Sequence, residues 1–425
     1  MLGCGTVGGG VVKLLQSNAA HIEKRLGTRL EVRRALVRSL DKVRSASLGD
    51  VTLTEHANEL FGDRDLDIVV DVMGGVHPAR ALVERAIDAG CGVVSANKAL
   101  LADCGEAILT RARGRGVDVA FEAAVGGGIP IVRVLREALV SDVIKSLAGI
   151  VNGTSNFILT KMHQEGASFE EALREAQARG YAEADPTLDV DGQDAAHKLV
   201  VLAMLAFGAC FRPDHVHTEG IQQIEAIDHR FAERFGFAIK HLAIARAKET
   251  SGQVEMRVHP ALVARDTPLA NVNGVLNAIA IVGEALGPCL LSGQGAGALP
   301  TAVSVVADIV DVAAARLNGT AGLMTKSIDL VARPLMPMGE VEARQYVRLA
   351  VFDRPGVLAK ITGTFSAYRV SIEQMIQEGG GDATGAPVQV VMLTHSTRER
   401  EIAAALDEIA NHKFVAGRIQ RIRVF

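Results

Sequence analysis

The chain predicts an α/β protein with three parts: a doubly wound parallel sheet at the N-terminus, a mixed α+β region in the middle, and a C-terminal βαββαβ unit. Three observations carry this. Residues 3–123 alternate short β-branched runs with helical patterns, the rhythm of a parallel sheet. Gly3-Cys4-Gly5-Thr6-Val7-Gly8 opens a helix at the head of that rhythm. After the Pro/Met/Gly linker 332–343, residues 344–425 run strand, helix, strand, strand, helix, strand.

Taken in order, 31–38, 66–73, 91–97 and 117–125 read as strands, and 11–26 and 79–90 as helices, the latter ending at Gly90. Only Met1 and Leu2 precede the glycine motif. The strand expected there is central in a doubly wound fold, so the sheet is expected to lack most of a middle strand or the chain to start late. Ser168 and Glu171 form a capping box for a helix stopped by Gly180. Stretches 143–151 and 252–263 alternate like strands of a second sheet. The helix 298–316 is expected to return to the first domain. The predicted domains are 1–130, 131–331 and 344–425, the last being a separable module reached through its linker.

With 425 residues, 48% of them hydrophobic and 22% charged, the chain can fill two or three packed domains. The net charge of −4 argues against a general nucleic-acid binder. Five scattered cysteines without CxxC spacing fit free thiols in a reducing cytoplasm. The longest apolar run, 199–211, is short for a membrane span and reads as a buried helix.

The densest chemistry lies in 181–202, YAEADPTLDVDGQDAAHKLVVL. Glu183, Asp185, Asp189, Asp191 and Asp194 crowd ahead of an apolar helix, and Asp194 and Lys198 share one helix face. A lysine at the mouth of a buried helix beside several acids is placed to do chemistry, although a solvated i,i+4 pair has the same spacing. The GxGxxG turn lets backbone approach a pyrophosphate, with Gly3, Gly5, Thr6, Val7 and Gly8 as the binding residues of a Rossmann-like domain. Arg38 ends the second strand where an acid would read a ribose hydroxyl, and suits a 2′-phosphate instead; Lys42 and Arg44 could assist. Ser95, Asn97 and Lys98 follow a strand at its carboxyl edge, the ligand-binding edge of open α/β sheets. Glu122, Val125, Gly127 and Ile129 lie in a strand running into three glycines, where carbonyls and one carboxylate could hold a hard cation or form a plain loop. Asn152, Gly153 and Thr154 put donors ahead of a helix, and Gly295 and Gly297 start another.

In this order the motifs GCGTVGGGVV, DVMGG, SANKALLA, FEAAVGGGIPI, NGTSNFILTKM, GYAEADPTLDVDGQDAAHK and GQGAGALPTA resemble the homoserine dehydrogenase family across essentially the whole chain. The tail, with VFDRPGVLAKIT, resembles an ACT domain, a common sensor of amino acids. The resemblance implies reversible NAD(P)H-dependent reduction of L-aspartate 4-semialdehyde to L-homoserine, on the route to threonine and methionine. It makes Lys198 the catalytic lysine, with Asp194 beside it and Lys98 as a second. Glu183 becomes the substrate-binding glutamate, with Asp189 and the Gly153–Thr154 turn beside it. Glu122, Val125, Gly127 and Ile129 become sodium ligands. NADP(H) is expected over NAD(H), L-threonine as effector acting near the Gly356 turn, and a homodimer or homotetramer, with neither nucleic acid nor membrane as partner.

Two rivals remain at this point. A phosphorylating aspartate-semialdehyde dehydrogenase would need a thiolate nucleophile, with Cys91 or Cys104 as the choices. An amino-acid-binding regulator with an impaired dinucleotide domain would need no catalytic lysine.

Overall fold

The structure is a computed structural model and describes residues 1–41, 48–63, 65–328, 330–379 and 386–425. Lys42 and Arg44 lie outside the described residues. The chain forms two compact units. The first comprises Met1–Gly153, Asp194–Val216 and Val275–Arg333; the second comprises Thr154–Gln193, His217–Gly274 and Pro334–Phe425.

In the first unit, Arg34–Leu36 pairs in parallel with Thr52–Thr54; Ile68–Asp71 pairs in parallel with Gly92–Ser95, which pairs in parallel with Val119–Ala120 on its other side. Leu2 joins these two halves, bridging both Leu36 and Asp71 in parallel. Its N–H donates to Val70 O at 2.7 Å, and Gly3 N–H donates to Leu36 O at 2.9 Å. Leu36 N–H in turn donates to Met1 O at 2.9 Å. The middle strand is thus a stub, but a closed one: three residues supply the ladder on both sides, and Leu2 is fully buried.

Local boundaries differ from the sequence pattern in two instructive places. The helix expected at 11–26 is two helices, Thr6–Ser17 and Ala19–Leu26, broken at Asn18. The first therefore begins inside the glycine motif. The strand expected over 117–125 stops at Ala120 and becomes a 3-10 turn, Glu122–Ala124. The cause is Glu122, whose carboxylate accepts the N–H groups of Val132 and Arg133, both at 2.8 Å, and holds the chain in a return.

The helix Ala298–Leu317 is long and apolar enough to cross a bilayer by composition, the one such helix among the described residues. Here its Ala302, Val305, Ile309 and Val312 enter the same core cluster as Val11 and Val12 of the first helix. Gly10 permits this approach, since a Cβ there would sit 2.8 Å from Ala298 O. Three antiparallel strands, Ile144–Ile150, Leu276–Gly283 and Gly287–Gln294, complete the unit's sheets. The helix Gln193–Phe207 contributes a nearly continuous buried run from Leu199 to Met204.

In the second unit, Phe237–Ala247 and Val254–Ala264 form a long antiparallel hairpin. The tail supplies Gln345–Val351, Ile372–Glu378, Val388–Thr394 and Gln420–Val424 as strands, and Val357–Ala367 and Glu399–Ala410 as helices. Its last strand pairs in parallel with Val254–Ala264. Asp228 accepts Arg348 Nε at 2.7 Å and Tyr346 Oη at 3.0 Å. Arg423 is held between Glu219 and Glu399. These buried charges tie the tail to residues 217–274, so it is not the detachable module its linker suggests.

Candidate active site

The glycines of the first turn have separate physical jobs. Gly3 has φ +92°, which disfavours any side chain. A Cβ on Gly8 would lie 2.9 Å from Gly3 O, whereas one on Gly5 would meet nothing within 4 Å. The turn is therefore tight at Gly3 and Gly8 and open at Gly5, the N-cap of Thr6–Ser17. The open face exposes the first N–H groups of that helix, including those of Thr6 and Val7, to an incoming anion. Arg38 is exposed two residues beyond the strand Arg34–Leu36.

Ser95 and Asn97 are buried rather than presented. Ser95 Oγ donates to Asp71 at 3.0 Å, Asn97 Nδ2 donates to Gly75 O at 2.7 Å, and Asn97 Oδ1 caps the helix Lys98–Arg115. Burial pushes the Asp71 carboxyl up, partly offset by the Met73 N–H, Ser95 and Asn97. Together these residues fix the start of the helix whose first residue is Lys98.

Lys98 reaches Asp194 Oδ1 at 2.9 Å. Asp194 Oδ2 accepts Lys198 Nζ at 2.7 Å and Asn152 Nδ2 at 2.8 Å. Lys198 Nζ also donates to Val151 O at 2.7 Å. Burial alone would raise the Asp194 carboxyl; Lys198, Lys98 and the hydrogen bonds from Lys198 and Asn152 outweigh it and hold it well below the usual carboxylate range. The acid is therefore a permanent anion flanked by two ammonium groups. Asn152 is the partner that residue spacing does not reveal; its only signal is a polar side chain closing a strand.

Both lysines line a cleft of about 230 Å³ whose other walls include Val7, Gly127, Gly295 and Thr301. The glycine turn, the lysines and the second glycine-rich helix start thus share one space. Gly127 and Gly295 meet backbone to backbone: a Cβ on Gly127 would lie 2.5 Å from the Gly295 carbonyl. Gly297, at φ +115°, caps Ala298–Leu317.

Glu122, Val125, Gly127 and Ile129 occupy the return that follows the shortened strand. Gly127 O accepts Ser304 Oγ at 2.6 Å and Ile129 O accepts the Ile131 N–H at 2.8 Å. Gly126 and Gly127 have φ +75° and +56°. Each of these carbonyl oxygens retains a second lone pair, so an oxygen-only donor set remains.

In the second unit, Thr154 Oγ1 donates to Tyr181 O at 2.6 Å and to Asp189 Oδ2 at 3.2 Å, while Ser155 Oγ donates to Asp189 O. Glu183 is exposed on the same segment. Gly153 belongs to the first unit, and a Cβ there would lie 2.9 Å from Val275 O, a packing reason for glycine.

Two of the five thiols are shifted away from nucleophilic character. Burial pushes the Cys91 thiol up, and burial with the nearby Glu106 pushes Cys210 up to about 11. A thiolate nucleophile needs the opposite shift.

A glycine turn at a helix N-terminus, opening onto a lysine-lined cleft, defines a dinucleotide-dependent oxidoreductase. Residues 130–310 match the family model described as homoserine dehydrogenase, residues 3–122 the homoserine dehydrogenase NAD binding domain, and residues 346–413 the ACT domain. The homoserine dehydrogenase of Pseudomonas aeruginosa is 42% identical over 99% of this chain and 97% of its own. That of Neisseria gonorrhoeae is 42% identical over 100% and 97%. The crystal structure of a homoserine dehydrogenase from Thiobacillus denitrificans superposes with a TM-score of 0.94 at 45% identity, covering 100% of this chain and 97% of that one. A hyperthermophilic archaeal homoserine dehydrogenase in complex with NADPH superposes with a TM-score of 0.60 at 27% identity over 73% of this chain and 95% of that one. The chain belongs to the homoserine dehydrogenase family, and its function is that of the family; the purely regulatory reading is not favoured.

Proposed function

We propose that the chain reduces L-aspartate 4-semialdehyde to L-homoserine with Lys198 as proton donor. The carrying observation is the partner count of Lys198. Its ammonium has three N–H groups; two go to Asp194 and Val151 O, and the side chain lines the cleft. The third is available to a substrate oxygen. A bound nicotinamide supplies the hydride. As the aldehyde oxygen gains negative charge, the Lys198 ammonium stabilises it and releases a proton to it. Asp194 keeps that ammonium oriented, and Lys98 adds positive charge to the same cleft. Glu183 and Asp189 supply carboxylates for the substrate ammonium.

The open Gly5 turn fits a pyrophosphate, and the exposed Arg38 supports NADP(H) over NAD(H). The oxygen donors of Glu122, Val125, Gly127 and Ile129 fit a hard cation such as sodium, which would brace the loop carrying Gly127. The three domains 1–130, 131–331 and 344–425 divide these tasks, with the ACT domain answering to L-threonine. Initial rates with NADPH and NADH test the cofactor reading. Arg38→Asp is expected to raise the KM for NADPH about tenfold, by removing a charge-assisted contact, and to spare NADH. Equal effects on both cofactors would remove the arginine from 2′-phosphate recognition.

A further inference from the structure

Asp194 and Lys198 are held from outside their own helix by two consecutive residues, Val151 and Asn152. These follow the strand Ile144–Ile150, whose last rung pairs Ile150 with Ala278. Just beyond them Gly153 packs so closely on Val275 that a Cβ would sit 2.9 Å from Val275 O. The link is thus pinned at both ends, and Asn152 is buried within it.

This link presents one acceptor and one donor to the ion pair. Val151 O accepts Lys198 Nζ at 2.7 Å, and Asn152 Nδ2 donates to Asp194 Oδ2 at 2.8 Å. The amide contact falls on the same oxygen that accepts Lys198 at 2.7 Å, whereas Lys98 sits on Oδ1 at 2.9 Å. An ionised carboxylate oxygen has two lone-pair sites. Lys198 and Asn152 fill both sites of Oδ2, which leaves Oδ1 for Lys98 and keeps the two ammonium groups on separate oxygens. An amide is suited to this task because it donates without adding a charge between two cations.

We propose that Asn152 is a positioning residue for the reduction: by saturating Asp194 Oδ2 it fixes the carboxylate plane and keeps one Lys198 N–H aimed into the cleft. The proposal rests on the reading of Lys198 as proton donor, and Asn152 acts only through that lysine. Without the amide, the open site on Oδ2 competes for the same N–H or draws Lys98 across, because charge-assisted bonds are the strongest on offer there.

The test is a double-mutant cycle on the full-length chain, read as the single-turnover rate of hydride transfer from bound NADPH to L-aspartate 4-semialdehyde. Asn152→Ala should lower that rate about tenfold, the usual scale for losing a hydrogen bond to a charged group, with NADPH affinity and the KM for the semialdehyde near wild type. In the Lys198→Met background the same change should cost less than about twofold, since nothing is left to position. The shape-conserving Asn152→Asp adds a pH readout. It sets a second carboxylate against Asp194 at neutral pH, and on protonation the introduced carboxyl again presents a donor. Its rate relative to wild type should therefore recover as pH falls. A wild-type rate in Asn152→Ala, the full loss repeated in Lys198→Met, or a pH-independent ratio for Asn152→Asp overturns the proposal. The underlying reading fails separately: a slow Lys198→Met beside a fast Asn152→Ala keeps the proton donor and removes only Asn152, whereas a fast Lys198→Met removes both.

Discussion

Both units bury a carboxylate against cations, and the two arrangements differ in what is left over. Asp228 in the second unit is fully enclosed; Arg348 grips both its oxygens, Tyr346 adds a third hydrogen bond, and the Glu225 N–H a fourth. Asp194 in the first unit is buried between Lys98 and Lys198, and both of those lysines line a cleft. A saturated pair fastens strands and offers nothing to a ligand. A pair with a surplus ammonium N–H keeps that donor for chemistry.

The sharpest way to break this contrast is through Arg348. Arg348→Met leaves Asp228 as a buried charge without its counterion, a change that costs about 3–5 kcal/mol. Denaturant unfolding should show that loss, while turnover of the remaining folded enzyme stays near wild type. A stable Arg348→Met protein would mean that the tail is held by something else. Asp194→Asn should do the reverse. It keeps the shape but removes the anion that orients both lysines, so turnover should fall by about 10²–10³-fold with a smaller loss of stability. Turnover near wild type would reduce Asp194 to a packing residue.

The second unit also carries a pH dependence, spread over several pH units. His229 is buried with both ring nitrogens unpartnered. Burial, then His163 and Lys240, lower its pKa to about 3 from 6.5. Between those values the unfolded chain takes a proton that the folded one refuses. His229 therefore costs nothing above about pH 6.5, and stability drops as pH falls through the window, by up to about 1.4 kcal/mol per unit. His229→Phe should flatten this slope in urea melts taken across that window. An unchanged slope would assign the acid limb to other groups.

The same contrast explains how far the sequence could be read. Asp194 and Lys198 are one helical turn apart, so their pairing follows from local geometry. The links from Asp194 to Lys98 and Asn152 depend on how distant strands are stacked, and no spacing encodes that. The pattern 117–125 places Glu122 inside a strand, but its carboxylate captures the backbone N–H groups of Val132 and Arg133 and turns the chain back. The Pro- and Gly-rich linker 332–343 predicts a separable tail. The contrary signal was present in QYVRLAV, where Arg348 sits among apolar residues and so needs a buried partner elsewhere.

The central claim is that Lys198 acts in the reaction rather than in the fold. The most direct measurement is the single-turnover rate of hydride transfer from bound NADPH to L-aspartate 4-semialdehyde in Lys198→Met, with NADPH affinity and unfolding free energy taken on the same protein. The account predicts a rate lower by about 10²–10⁴-fold, with NADPH affinity unchanged and only a modest loss of stability. A rate within a few-fold of wild type would contradict it.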